Sequence, residues 1–398
     1  MTFKQKVFSY FKHLDYILVL LTIGLSVFGV FLIYSSTNAP SIPAVVHNQF
    51  HWLYDRQILN IATGVVMMFI FSAIDFRKIT RFYWLVFAFM LVLLLLARFI
   101  GADDYTQTAR WIRIPVPGVG DMSLQPSEFA KIFMIIFLAK FLEVNKDRFN
   151  KIGWLFVVLI TIVVPVFLVI EQPSLSAGMV VLSISLIVLF VAGLYWRTIL
   201  LGLAIITPAA IFVWFDLQRT ERIFLNRILG DFQMARIDTF LYPIPGSDAF
   251  RQTQGSLFAI GTGGLTGRGW LNNPFVILGH NDFVFAVHAS QFGFVGSILL
   301  LAAVAAIIIR CIMIALRSPD LQGRLIAAGV AGMMLVETFF HVGVTTNLIP
   351  NTGMPFPFVS YGGSMIWVHM IAIGMVLNIK LPRPLKSMFD ESEGEQIL

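Results

Sequence analysis

The chain has 398 residues, of which 58% are hydrophobic and 13% are charged, and its formal net charge is +6. A water-soluble domain has about 45–50% apolar and about 25% charged residues, so this composition excludes one. Lysine and arginine mark cytoplasmic segments in membrane proteins, so the positive charge does not indicate nucleic-acid binding. The single cysteine, Cys311, excludes a disulfide framework and a cysteine-based zinc site. The sequence therefore predicts an all-α polytopic membrane protein.

A helix that crosses the hydrocarbon core needs about 17 or more consecutive, mainly apolar residues. Ten segments meet this requirement. Each is expected to be a transmembrane helix, because lipid cannot satisfy an unpaired backbone group. The predicted spans are 16–35, 58–74, 82–100, 126–142, 152–170, 177–193, 197–215, 283–309, 325–346 and 362–379, of which the fourth and ninth contain polar residues.

The basic residues orient these spans. With the N-terminus inside, the cytoplasmic segments hold most of the lysines and arginines, among them Lys4, Lys6, Arg383 and Lys386. The short outer loops hold only Arg56, Arg110 and Arg113. By the positive-inside rule both termini are cytoplasmic, which an even number of spans allows. One membrane domain, 1–398, is predicted, with a cytoplasmic N-terminus (1–15), helices one to seven (16–215), a large outer loop (216–282), helices eight to ten (283–379) and a cytoplasmic tail (380–398).

The large outer loop departs from this charge pattern. Long loops cross the membrane largely regardless of their charge, so the topology stands. The loop is either a flexible connector or a cationic outer surface that attracts an anionic, lipid-linked substrate. Its arginines are Arg219, Arg222, Arg227, Arg236, Arg251 and Arg268, and an acidic tail at 390–395 is predicted to be disordered.

Ionisable residues in or beside a span are costly and are therefore functional candidates. The fourth span opens with Gln125, Pro126, Ser127 and Glu128, and Lys131 follows three residues after the glutamate. Glu128 and Lys131 share a helix face, so they form either a structural ion pair or part of a site. The preceding loop carries Arg110 beside Trp111, an aromatic residue that an ordinary membrane-interface position also explains.

Two further blocks flank the last three spans. The glycine-rich segment 261–269, which includes Arg268, permits close backbone approach to a ligand or simply tight turns. His280 and Asp282 follow it, and Asp282 is either a helix cap or a carboxylate with a raised pKa that serves as a general base. The second block, 347–364, contains Ser360 and Tyr361, and its three prolines break any helix. It is predicted to be a re-entrant loop that faces an outward cavity.

These blocks together resemble the SEDS family (RodA, FtsW and SpoVE). The strings QPSEFAK, AIGTGGLTGRG, HNDFVFAV followed by FGFVG, and IPNTGMPFPFVSYGGS stand in the order and spacing of that family over nearly the whole chain. The resemblance implies ten spans and a bacterial plasma-membrane protein. It also implies an enzyme that polymerises lipid II into glycan strands together with a class B penicillin-binding protein in a cell-wall synthesis complex.

The resemblance also implies the site. Its essential carboxylate falls on Asp282, and Glu128 and Lys131 complete the predicted catalytic set. The predicted substrate-binding residues are Arg110, Trp111, Gln125, Ser127, Arg268, His280, Ser360 and Tyr361. We expect one inverting displacement, in which Asp282 takes the proton of the acceptor hydroxyl. Lys131, Arg110 or Arg268 would stabilise the departing pyrophosphate. A divalent cation, Mg²⁺ or Mn²⁺, is a further candidate for that role, although the sequence contains no recognisable metal site.

Several residues depart from the family pattern. Acidic residues of the family are replaced by Ser174, Ser290 and Gln291, and Gln107 stands where a glycine precedes the arginine–tryptophan pair. These changes indicate compensated packing, altered ion dependence or a divergent, less active member. The alternatives to a polymerase are a lipid II flippase and a non-catalytic scaffold for a penicillin-binding protein. The polar blocks cluster at the outer face rather than at a midplane site, which favours chemistry over transport. The short termini favour the RodA branch over the FtsW branch.

Overall fold

The computed structural model describes residues 9–101, 110–116, 120–148, 150–172, 174–217, 231–243 and 245–382, and these are mostly helical. Several residues named above lie outside the described ranges: Lys4, Lys6, Gln107, Arg219, Arg222, Arg227, Arg383, Lys386 and the acidic tail at 390–395. The orientation across the membrane stays a prediction from the sequence.

A helix lies at each of the ten predicted spans, and shorter helices lie between them. The elements are α1 (Tyr16–Asn38), α2 (Ala44–Phe50), α3 (Leu53–Ala73), α4 (Phe76–Arg81), α5 (Tyr83–Ile100), β1 (Ile112–Val116), β2 (Gly120–Leu124), α6 (Pro126–Val144), α7 (Ile152–Ile170), α8 (Leu175–Val191), α9 (Trp196–Leu217), α10 (Asp231–Leu241), α11 (Asp248–Gly263), α12 (Val284–Arg317), α13 (Leu321–Thr345) and α14 (Gly363–Lys380).

Seven segments in the described part of the chain are long and apolar enough to cross a membrane. They are α1, α2 with α3 (Ala44–Ala73), α5, α7, α12, α13 and α14. The α6 helix carries four charged residues, Glu128, Lys131, Lys140 and Glu143, which lower its hydropathy, and α8 has only 17 residues. The number of ten spans therefore stays a prediction, although the helices themselves are present.

The helices divide into a central group and a peripheral group. In their most apolar stretches α14 is 78% buried and α13 is 67% buried, whereas α5 is only 22% buried. The exposed side of α5 carries large apolar side chains such as Phe99, which suits contact with lipid. Polar groups carried by α13 and α14 are therefore shielded by protein.

The outer loop contains structure of its own, because helices α10 and α11 lie within it. The loop is thus not a simple flexible connector over its described part. The region 346–362 between α13 and α14 has no helix, as its prolines predict, yet Phe356, Phe358 and Ser360 are fully buried. This region, which we call the re-entrant loop, is irregular backbone enclosed by protein.

Ion pairs connect the start of α1 with α12 and with the end of α14. Asp15, whose side chain is only 1% exposed, accepts hydrogen bonds from Arg310 of α12 and, at 3.0 Å, from Lys380 of α14. Asp15 also caps α1 by accepting the backbone N–H of Leu18. This ion cluster ties the first helix to the last helices at the end predicted to be cytoplasmic.

Candidate active site

The segment before α12 and the re-entrant loop are hydrogen-bonded to each other. The backbone N–H of Tyr361 donates to the His280 carbonyl at 2.9 Å. The Ser360 hydroxyl donates to the Asn281 carbonyl at 2.7 Å and accepts the N–H of Phe356 at 2.8 Å. The re-entrant loop therefore folds back onto the start of α12. Two residues of each segment meet there: His280 and Asn281, and Ser360 and Tyr361.

A buried glutamine braces the same loop from α3. The side-chain amide of Gln57 donates to the Ser360 carbonyl at 3.2 Å and its oxygen accepts the N–H of Gly362 at 3.2 Å. Gln125 reaches the loop's end from the other side, because its N–H donates to the Ser364 hydroxyl at 3.0 Å. The loop is thus held at both ends by residues distant in sequence.

Replacing Ser360 with alanine should lower the free energy of unfolding by about 2 kcal/mol, because the buried N–H of Phe356 loses its acceptor. Thermal unfolding of the purified protein in detergent measures the loss. Ser26→Ala is the matched control, since the Ser26 hydroxyl is equally buried but donates only to the helical Thr22 carbonyl. Equal loss in the two variants would contradict a bracing role for Ser360.

Asp282 lies at the centre of this arrangement and is 9% exposed. Burial raises the pKa of its carboxyl group, and the nearby guanidinium groups of Arg236 and Arg110 partly oppose that rise. Gly353 of the re-entrant loop, with φ +68°, lies against the side chains of Asp282 and Arg236. A Cβ built there would be 3.2 Å from Asp282 Oδ2 and 3.3 Å from Arg236 Nη1. The site therefore combines a carboxylate of raised basicity with two cations.

Arg110 is anchored by Gln172, whose backbone carbonyl accepts its Nε–H at 3.1 Å, and Gln172 itself donates to the Leu94 carbonyl. Trp111 beside it is half-buried. The charge of Arg110 acts on Asp282, so this arginine contributes to the electrostatics of the site.

His280 is partly buried, with its ring 5.2 Å from Phe50 and 6.3 Å from Tyr361. Burial lowers the pKa of His280 to about 4, so the imidazole is neutral near pH 7. Burial also raises the pKa of the Tyr361 phenol, an effect that the charge of Arg56 opposes. The side chains of His280 and Tyr361 are therefore both uncharged near pH 7.

The glycine-rich segment packs against α12. Gly293 interrupts α12 with φ +65° and ψ −163°. Its neighbourhood is paired with the segment: the N–H of Arg268 donates to Ser290 at 2.9 Å, and that of Gly269 donates to Gln291 at 3.0 Å. The dense glycines therefore allow two backbones to approach closely. The side chain of Arg268 is exposed at the segment's end.

The positions that depart from the acidic family pattern are built into the packing. Ser290 is fully buried, and Gln291 donates to the Ser35 hydroxyl at 2.8 Å and to the Asn273 side chain at 2.7 Å. Ser176, two residues after the buried Ser174, donates to the Thr352 carbonyl of the re-entrant loop at 3.0 Å. The hydrogen bonds of the Gln291 amide nitrogen favour compensated packing at that position, whereas the buried Ser290 hydroxyl has no hydrogen-bond partner among the described residues.

Glu128 and Lys131 lie in a separate, buried cluster. The Lys131 ammonium is 2.7 Å from Glu128 and 2.5 Å from Glu337 of α13, and its side chain has no exposed area. Ser127 is also buried. Both carboxylate partners and the surrounding protein occupy the surface of this ammonium group, so no face of it is exposed to solvent. The structure therefore places Lys131 and Glu128 where they hold α6, beneath the outer site.

A divalent cation does not fit these residues well. Within the described ranges there is no group of three or more histidine, cysteine, aspartate or glutamate side chains that would hold one. The charged groups that act on Asp282 are guanidinium groups, which repel a metal ion.

Sequence reasoning missed several residues of this region. Arg236 was grouped with the other loop arginines, because nothing local connects it with Asp282. Glu337 and His369 are ionisable residues inside predicted spans, and the rule that identified Lys131 applies to them equally. Gln57 lies just before the predicted second span and is not ionisable. Gly353 is recognisable only by its contact with the Asp282–Arg236 pair.

Comparison with known proteins gives consistent matches over nearly the whole chain. The chain is 33% identical to stage V sporulation protein E of Bacillus subtilis, covering 92% of this chain and 96% of that protein. It is 32% identical to the peptidoglycan glycosyltransferase MrdB of Escherichia coli, covering 94% and 95%.

Solved structures agree with these relatives. A chain of a structure described as structural coordination of polymerization and crosslinking by a peptidoglycan synthase complex aligns with TM-score 0.73 and 27% identity, covering 92% of this chain and 97% of that one. The crystal structure of the rod shape determining protein RodA of Thermus thermophilus aligns with TM-score 0.63 and 26% identity, covering 92% and 95%. A family model for FtsW, RodA and SpoVE, described as cell cycle protein, matches residues 15–383. The chain therefore belongs to the FtsW, RodA and SpoVE family, which is the SEDS family that its motifs resemble.

Proposed function

We propose that this protein is a peptidoglycan glycosyltransferase that polymerises lipid II on the outer face of the bacterial plasma membrane. The observation that carries the proposal is the buried carboxylate of Asp282, whose pKa burial raises and the charges of two arginines partly lower. Its neighbours are the loop blocks that carry the family resemblance. The relative MrdB, which is similar over 94% of this chain, is named as an enzyme of this activity.

The reaction needs a base and a stabilised leaving group. The Asp282 carboxylate removes the proton from the 4-hydroxyl of the acceptor sugar, and that oxygen forms the new bond to C1 of the donor. The bond from C1 to the lipid pyrophosphate breaks on the opposite face, so the α-linked donor gives a β-linked product. A raised pKa makes Asp282 a better base than an ordinary aspartate.

Arginines, rather than the enclosed Lys131, stabilise the leaving group in this proposal. Arg110 and Arg236 carry positive charge at the site, and the exposed Arg268 adds a cation on the glycine-rich segment. These groups stabilise the negative charge of the departing pyrophosphate. Trp111, Gln125, Ser127, His280, Ser360 and Tyr361 bind the substrate or shape its site, and Glu128 with Lys131 positions α6.

The proposed partner is a class B penicillin-binding protein, within a cell-wall synthesis complex. One structural match comes from an assembly that couples polymerization to crosslinking, and this chain spans 97% of the matching subunit. The test is polymerisation of labelled lipid II by the purified protein, alone and with candidate class B partners. Moenomycin-insensitive glycan strands support the proposal. The absence of strands under every partner condition would favour the scaffold or flippase alternatives.

Replacing Arg236 with glutamine should shift the acid limb of the pH–rate profile to higher pH. The base must be ionised, so the rate falls as pH falls through the pKa of Asp282. The charge of Arg236 lowers that pKa, and its removal lets burial raise the pKa further. The measurement is kcat/KM for lipid II against pH. Arg251→Gln is the control, because Arg251 is an arginine of the same outer loop and the charges that lower the pKa of Asp282 are those of Arg236 and Arg110. An acid limb that moves equally in both variants, or in neither, would argue against Asp282 as the base.

A further inference from the structure

Four ionisable side chains from three helices form one buried cluster inside the membrane domain. Lys131 of α6 contacts Glu128 at 2.7 Å and Glu337 of α13 at 2.5 Å. Glu337 also contacts His369 of α14, with 2.6 Å between its Oε2 and the ring Nε2. The exposed fraction of these four side chains is 5% or less. We call this group the buried tetrad.

The hydrogen bonds of His369 require two ring protons when Glu337 is an ionised carboxylate. Its Nδ1 lies 2.8 Å from the Met365 carbonyl oxygen, and its Nε2 faces the Glu337 carboxylate. A carbonyl and a carboxylate only accept hydrogen bonds, whereas a neutral imidazole has only one N–H to donate. A neutral ring would therefore leave one nitrogen lone pair facing an acceptor in a buried place.

Charge balance leads to the same conclusion. If His369 were neutral, the two glutamates and the lysine would give the tetrad a net charge of −1. Burying an uncompensated charge away from water costs several kcal/mol, about the amount expected for one desolvated ion. One additional proton on the His369–Glu337 pair makes the tetrad neutral. Glu337 already accepts the Lys131 ammonium through its other oxygen, which stabilises the carboxylate. The proton therefore belongs on the histidine.

The other residues packed around His369 add no charge to the tetrad. Phe358 of the re-entrant loop lies against the ring at 5.1 Å and is uncharged. His341, the histidine of α13, faces the Met354 carbonyl instead. Within the described residues, the charged groups that face His369 are Glu337 directly and Lys131 with Glu128 behind it.

We propose that His369 is held as an imidazolium and that, through Glu337, it positions Lys131 and the first turn of α6 beneath the outer site. The N–H of Gln125, just before α6, donates to Ser364 at the start of α14, so the two helices are tied at two levels. His369 and Glu337 are thus positioning residues. Their effect on catalysis rests on the proposed function, whereas the charge state of His369 does not.

Stability of charge variants tests the imidazolium. His369→Leu leaves two carboxylates against one lysine, so its melting temperature in detergent should fall on the order of 10 °C. Glu337→Gln keeps the cluster neutral, and its glutamine amide can donate to a neutral His369, so its loss should be clearly smaller. The double variant is neutral again and should melt above His369→Leu. A His369→Leu protein as stable as Glu337→Gln, or a double variant that melts lower than His369→Leu, would overturn the proposal.

Nuclear magnetic resonance of the ¹⁵N-histidine-labelled protein reads the protons directly. At about pH 8, where an unperturbed histidine is neutral, one histidine should retain two protonated ring nitrogens. The signal should be lost in Glu337→Gln. A wild-type spectrum in which every histidine is neutral at this pH overturns the imidazolium.

Kinetics tests the positioning role. Glu337→Gln should lower kcat for lipid II polymerisation about 10-fold while KM changes little, because the reacting groups are misplaced rather than lost. An unchanged kcat would overturn the positioning role. The melting and resonance measurements need no polymerase activity, so they decide the charge state of His369 even if the proposed function fails.

Discussion

Replacement of Asp282 with asparagine should reduce lipid II polymerisation at least about 100-fold, because removing a general base typically costs that much or more. Asparagine has nearly the same shape as aspartate but cannot accept the proton of the acceptor hydroxyl. Because Asp282 is buried beside Arg236 and Arg110, the substitution also changes the charge balance of the site. The purified variant should still bind its class B partner, and its rate is measured by the formation of labelled glycan strands.

The control for this experiment is Asp238→Asn. Asp238 lies on α10 with Arg236, in the same outer loop, yet it is not among the charged groups that act on Asp282. This variant should polymerise at close to the wild-type rate. Full activity in Asp282→Asn, with the fold confirmed by an unchanged melting temperature, would exclude Asp282 as the base. It would then favour a scaffold or a carrier.

Replacement of Gly293 with alanine should destabilise the protein by at least about 3 kcal/mol, which would strongly reduce the yield of folded protein. Gly293 has φ +65° and ψ −163°, a conformation that is essentially restricted to glycine. An added Cβ would also lie 2.6 Å from the Leu265 carbonyl oxygen. The strain and the clash act together, because the glycine-rich segment is hydrogen-bonded along this part of α12.

Gly24→Ala provides the matched comparison. Gly24 lies in α1, and a Cβ built on it meets no atom within 4 Å. Alanine is the better helix former, so this variant should be as stable as the wild type or slightly more stable. Melting temperature and the monodisperse fraction after purification measure both variants. Equal behaviour of the two alanine variants would contradict the view that the glycine-rich segment is a packing element.

Asp282 and Gly293 belong to one set of backbone contacts around the start of α12. The glycine-rich segment fixes the backbone of α12 near Ser290 and Gln291, while the re-entrant loop is fixed to His280 and Asn281 just before the same helix. Asp282 lies between these two attachments. The position of the carboxylate therefore depends on backbone contacts made by segments that are far apart in sequence.

The membrane class, the position of each apolar helix and the irregular backbone of the re-entrant loop follow from the sequence. These features are local, since lipid requires long apolar runs and three prolines close together in 347–364 oppose a continuous helix. Asp282 was also identifiable, because a carboxylate next to a span is costly and stands in a specific motif. Sequence and structure agree where a single segment contains the whole physical reason.

The partners of each polar residue were decided only by the tertiary structure. Lys131 was predicted to act on the leaving group, but it is enclosed by Glu128 from its own helix and by Glu337, which is 206 residues away. Arg236 acts on Asp282 across the outer loop, and Gly353 admits both by having no side chain. Charges interact through space and not along the chain. Sequence spacing therefore identified residues that need a partner, whereas the packing of α6, α13 and α14 determined which partner each one has.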